Sequence, residues 1–131
     1  KRQFNLYNQQ WPVYTYRKAL PPAKVSRGSV GEPSFVDGSL LCQGSVISGA
    51  HVERSIVSPS VFIDHDAHVT DSILNDGVRV GAGAQLNKCI VDKNVVIPAN
   101  ERIGFDHELD RQRYHVSEHG IVVIQKEQRF D

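Results

Sequence analysis

The sequence has no methionine, a single tryptophan and only two cysteines, Cys42 and Cys89. Its 15 basic and 15 acidic side chains cancel. Each shortage excludes something. Two thiols are too few for a disulfide scaffold or a cysteine-built zinc cluster, and they suit a reducing compartment, so a cytoplasmic protein is expected. A chain with no net positive charge makes a poor general binder of nucleic acid, which calls for countercharge to many phosphates. The longest uninterrupted apolar run is Ile121 to Ile124, too short to span a bilayer. No charged-then-apolar leader is legible at Lys1. Neither a membrane nor a nucleic acid is therefore expected as a partner. The missing initiator methionine reads as a fragment or processed piece whose upstream activity has been left behind. The 131 residues amount to one domain, long enough to bury a core.

Three stretches differ in character. Residues 1–34 hold five of the ten aromatics (Phe4, Tyr7, Trp11, Tyr14, Tyr16) and four of the six prolines (Pro12, Pro21, Pro22, Pro33). Phe4 to Tyr7 is compatible with the end of a helix, and the prolines then break regular structure. This stretch reads as an irregular linker whose aromatics pack on this domain's core, on a missing domain or on another subunit.

Residues 35–103 carry an internal repeat. Val52, Val69, Leu86 and Ile103 are spaced by 17, as are Val57, Leu74 and Val91, and Ile63, Val80 and Ile97. Within one turn the steps are 5, 6 and 6. Three short strands per turn, wound into a triangular coil and stacked at about 4.8 Å, explain that period. About four coils are expected, rising about 19 Å at that spacing. A second inward position is small: Ala50, Ser55, Ala67, Ser72, Ala84 and Cys89. The first turn is one residue short, and the missing residue falls near Ser48-Gly49. Glu101 falls in the Ala50/Ala67/Ala84 column, where a charge is costly to bury, and is read as the end of the repeat. Residues 104–131 then form a cap: a short charged helix within Asp106 to Arg113, a strand over Ile121 to Ile124 covering the last coil, and a polar tail with Phe130.

Repeats of this hexapeptide type mark left-handed parallel β-helices; the hand is taken from the resemblance. A narrower resemblance follows from the motifs in order. Asn5-Leu6-Tyr7, Trp11-Pro12, Leu20-Pro21-Pro22-Ala23-Lys24, Val46 to Ala50, Ile90 to Pro98, Ile103-Gly104, Asp110-Arg111, Val116 to Glu118 and Gly120 to Val123 together resemble the C-terminal domain of bacterial glucose-1-phosphate adenylyltransferases, the ADP-glucose pyrophosphorylases. The resemblance implies a parent enzyme that makes ADP-glucose from ATP and glucose 1-phosphate for glycogen synthesis. Its Mg²⁺-dependent nucleotidyltransferase domain lies N-terminal to the linker. No Gly-rich nucleotide loop is found here, so this piece alone is expected to be inactive and to hold no cofactor or metal.

In such enzymes this domain contributes to tetramer contacts and to the binding of sugar-phosphate activators or AMP-type inhibitors. The implied partners are those effectors, the chain's own N-terminal catalytic domain, and further copies of itself. Lys126, after Gly120 to Gln125, and Lys93, after Val91-Asp92, match basic positions of the effector pocket. A phosphate dianion calls for countercharge and several donors. Arg113, His119 and Arg129 lie close in sequence and are candidates to join them.

One alternative comes from histidines. His51 and His68 share an outward column, and His65 lies beside them. A stand-alone hexapeptide-repeat acyltransferase or zinc enzyme of the same fold would use such residues as a base or as ligands. Cys89 reads instead as a buried core thiol, Asp37, Asp64, Asp66 and Asp71 as corner and surface carboxylates, and Arg79 as an outward side chain.

Overall fold

The computed structural model describes residues 19–130. Strands of two or three residues alternate with tight corners, and parallel pairing sorts them into three sheets. The first sheet takes Lys24–Ser26 (β1), Val46–Ser48 (β4), Phe62–Ile63 (β7), Arg79–Val80 (β10) and Val96–Ile97 (β13). The second takes Phe35–Asp37 (β2), His51–Glu53 (β5), His68–Thr70 (β8), Gln85–Asn87 (β11) and Arg102–Ile103 (β14). The third takes Leu40–Leu41 (β3), Ile56–Val57 (β6), Ile73–Leu74 (β9), Cys89–Val91 (β12) and Val122–Ile124 (β16), with His115–Val116 (β15) antiparallel at its end. The chain visits the three sheets in rotation, which makes a parallel β-solenoid of four turns, the first lengthened by a loop, and an interrupted fifth.

Register follows the aliphatic period. Val52 pairs with Val69 and Val69 with Leu86, while Leu86 pairs with Ile103. Val57, Leu74 and Val91 stack likewise on the third sheet, and Ile47, Ile63, Val80 and Ile97 on the first. All are buried, because alternate residues of a strand face opposite sides and the inward side meets only other coils. The outward apolar positions Leu40, Ile56 and Ile73 stay exposed on the third sheet. The short turn is where expected. Ile47 pairs with Ile63, sixteen residues on, whereas His51 pairs with His68, seventeen on. Gly49, at φ +73°, closes the tighter corner.

The small inward column solves a polar problem. The Ser39, Ser55 and Ser72 hydroxyls accept the N–H of Ser55, Ser72 and Cys89, each one coil later, at 3.0, 3.1 and 3.1 Å. The Ser55 and Ser72 hydroxyls also donate to carbonyls two residues back. A buried hydroxyl is tolerated because both its roles are filled.

Two elements differ from expectation. Lys24–Ser26, inside the stretch read as irregular, is the first strand of the solenoid and pairs with Val46–Ser48. Val122–Ile124 does not lie across the last coil but extends the third sheet, pairing with Cys89–Val91. The suggested helix end at Phe4 to Tyr7 lies outside the described residues. The short helix α1, His107–Arg113, forms where its charges suggested, with Asp106 as N-cap accepting from the Leu109 N–H.

Within α1, Asp110 is buried, and its Oδ2 accepts the Gly104 N–H at 3.0 Å. Burial raises its pKa above the ordinary carboxylate value. A carboxyl that holds its proton more tightly when folded lends stability that is lost as pH rises from about 4 through the raised value. Urea midpoints measured from pH 4 to 7 are expected to fall in the parent relative to Asp110→Asn, which keeps an acceptor for Gly104. Parallel curves would show that Asp110 does not titrate differently on folding.

Candidate functional site

The corner that follows the third sheet gathers the two leading candidates. Val91 pairs with Ile124, and the Asp92 N–H donates to the Ile124 carbonyl at 2.9 Å. Lys93 and Lys126 each lie two residues past that pair, so they occupy equivalent positions on neighbouring turns. Their backbones are about 4.8 Å apart by strand spacing. Both side chains are exposed, and neither makes an ion pair among the described residues. The Asp92 carboxylate is turned back to the Lys93 N–H at 2.7 Å, which shapes the corner. Ammonium groups carried on adjacent turns repel one another wherever they approach, and a shared anion relieves that repulsion.

The other candidates divide. Arg129 is exposed three residues beyond Lys126, in a tail anchored by Gln128, whose Nε2 donates to the Arg113 carbonyl at 3.2 Å, and by Phe130, which packs against Tyr114. The Arg113 side chain is directed elsewhere: its Nη2 meets Glu101 Oε2 at 2.7 Å, and its guanidinium lies 5.0 Å from the Tyr114 ring centroid. His119 lies before the start of Val122–Ile124, whereas Lys126 follows its end. There it helps line an open cavity of about 350 Å³ with Lys88, Ile73, Ile90 and Ile121. The structure thus unites Lys93 with Lys126 and leaves Arg113 and His119 outside their corner.

The sequence reading passed over Asp76. Leu74 pairs with Val91, so Asp76 stands one turn before Lys93 in the same corner column, and its carbonyl accepts the Asn94 N–H. It sets an acidic border to the two lysines. The 17-residue spacing between Asp76 and Lys93 was the available signal.

Several other reactive side chains pack within or on the solenoid. Cys89 is buried, and desolvation pushes its thiol up to about 12, so it stays protonated and unreactive at neutral pH. Both cysteines are free. His51 and His68 stack outward with ring centroids 4.9 Å apart, under Phe35 at 4.5 Å, and His51 Nε2 is held by Glu53 at 2.6 Å. Arg79 does face outward, its guanidinium 5.1 Å from the Phe62 ring centroid.

Residues 21–124 match the family model of the GlmU-like C-terminal hexapeptide. The chain is 43% identical over 130 residues to a glucose-1-phosphate adenylyltransferase of Anaeromyxobacter sp., a match covering 98% of this chain and 32% of that protein. It is 45% identical over 126 residues to the glucose-1-phosphate adenylyltransferase of Arthrobacter sp., covering 95% of this chain and 27% of that protein. To glucose-1-phosphate adenylyltransferase 2 of Vibrio cholerae serotype O1 it is 40% identical over 126 residues, covering 96% and 31%. The chain spans about a third or less of the length of these curated relatives.

Proposed function

Because the chain belongs to the GlmU-like C-terminal hexapeptide family, whose repeat fits a left-handed β-helix, we propose that it is the regulatory and oligomerisation domain of a glucose-1-phosphate adenylyltransferase. The parent makes ADP-glucose from ATP and glucose 1-phosphate for glycogen synthesis. In this reading catalysis, with its Mg²⁺, belongs to the part of such enzymes outside the matched stretch. This domain meets that part, and further copies of itself, in a cytoplasmic homotetramer. Its own chemical task is to hold an anionic effector, a sugar phosphate or an AMP-type nucleotide. The matches to curated relatives over nearly the whole chain support the parentage. The pairing of Val91 with Ile124, which sets Lys93 and Lys126 at equivalent positions on adjacent turns, is the observation that supports the effector site.

Isothermal titration of the chain with fructose 1,6-bisphosphate is expected to show saturable binding. Charged hydrogen bonds contribute about 1.5–3 kcal/mol, so Lys93→Ala or Lys126→Ala is expected to weaken binding by about 10- to 100-fold. Asp76→Asn, which removes the acidic border, is expected to strengthen it. The site assignment is wrong if both lysine variants bind as the parent does. Release of pyrophosphate from ATP and glucose 1-phosphate by this chain alone would overturn the division of labour.

A further inference from the structure

Among the described residues, Glu32 Oε2 is a buried carboxylate oxygen without a hydrogen-bond partner. Its companion Oε1 accepts only the Val30 N–H, at 3.2 Å. A carboxylate held so poorly is costly to bury unless a cation or a further donor meets it. Two glycines make the space it fills. A Cβ at Gly28 would overlap the Glu32 carboxylate, and one at Gly49 would lie 2.8 Å from Glu32 Cγ. Glu32 therefore crosses the compressed corner of the second turn and reaches the corner of the third.

Asp64, His65 and Asp66 form that third corner. One carboxylate oxygen of Glu32, one ring nitrogen of His65 and one carboxylate oxygen of Asp66 all lie within 4.8 Å of one another. His65 Nδ1 is 3.0 Å from Asp64 Oδ1, which also accepts the His65 backbone N–H at 2.7 Å. That bond makes Nδ1 the protonated nitrogen and leaves the Nε2 lone pair for a ligand. A carboxylate behind a histidine is how proteins orient an imidazole toward a metal. No lysine or arginine pairs with Glu32, Asp64 or Asp66 among the described residues, so three carboxylates surround one imidazole.

We propose that Glu32, His65 and Asp66 form a binding site for a first-row divalent cation, with Asp64 as the outer partner of His65. One imidazole and two carboxylates suit zinc, which accepts three protein ligands and fills its fourth position with water. Magnesium and calcium favour all-oxygen sets. The bound ion ties the loop of the first turn, residues 28–32, to the corner of the third. This site is independent of the Lys93–Lys126 corner and of the effector reading.

The test is equilibrium dialysis of the chain against Zn²⁺, with metal analysis and thermal melts in parallel. One equivalent of zinc is expected, together with a melting temperature that rises with zinc concentration. Asp64→Asn is expected to weaken binding about 10- to 100-fold, the cost of losing an outer partner. Glu32→Gln and His65→Ala are expected to cost more than that, and His51→Ala nothing. Asp66→Asn guards against misfolding, because asparagine tolerates the φ of +59° found there while losing the charge. The proposal is overturned if no stoichiometric zinc is retained. It is equally overturned if Glu32→Gln, His65→Ala and Asp66→Asn bind zinc as the parent does. In either case His65 alone answers the half-buried Glu32 carboxylate.

Discussion

Arg113→Ala is expected to destabilise the domain by about 3 kcal/mol, at the lower end of what breaking a buried ion pair costs. The reason lies in the repeat. Glu101 stands where Ala50, Ala67 and Ala84 stand in earlier turns, an inward position read from the sequence as the point where the solenoid must stop. The last strand expected of the repeat, Arg102–Ile103, follows at once and pairs with Gln85–Leu86. The charge is met instead by Arg113 Nη2 at 2.7 Å and by the Tyr114 hydroxyl at 3.5 Å. The two charged side chains keep only 14% and 22% of their exposure, which places the pair near the buried limit but short of it. Without Arg113 the carboxylate faces the last turn with no countercharge. Glu101→Ala restores the residue type of the column, so the double variant is expected to be more stable than Arg113→Ala alone. Urea unfolding with unchanged m-values gives the coupling through a double-mutant cycle. The competing outcome is clear. If Arg113→Ala unfolds like the parent yet loses sugar-bisphosphate binding, Arg113 belongs to the effector site and not to the fold.

That contrast shows what a repeat makes legible. Residues on the 17-residue period declared their neighbours in advance, because each inward aliphatic can be covered only by its counterpart one turn away. Lys93 and Lys126 were chosen by resemblance, and pairing of Val91 with Ile124 gave them a shared corner. Off the period the sequence is silent. Lys24–Ser26 pairs across 22 residues with Val46–Ser48, since the loop holding Glu32 lengthens the first turn. Val122–Ile124 joins its sheet only after an excursion through α1 and a hairpin. Arg113 and His119 seemed natural companions of Lys126 because they are near it in sequence. Helix and hairpin geometry sends one inward to Glu101 and the other to the far end of the strand. Glu32 and His65 meet because two glycines remove the side chains between them, and no spacing rule encodes such a removal.

Gly104→Ala is expected to cost more than about 3 kcal/mol, the upper range for a single strained backbone position. Gly104 is the hinge between the last repeat strand and α1, at φ +97°. Left-handed backbone alone costs a residue with a Cβ about 1–2 kcal/mol. Here a second penalty adds to it, because the new Cβ would overlap the Asn87 carbonyl oxygen, a backbone atom fixed within the second sheet. The chain cannot retreat without breaking two bonds. The Gly104 N–H donates to buried Asp110, and its carbonyl accepts from Asn87 Nδ2 at 3.3 Å. Gly31 separates the two penalties. It has a similar φ of +89°, but nothing lies within 4 Å of the Cβ it would gain. Gly31→Ala is therefore expected to cost only the conformational 1–2 kcal/mol or so. The difference between the two urea midpoints then measures the overlap with Asn87. Equal losses would mean that the last turn yields at Gly104, and that α1 is not held against the solenoid through this close approach.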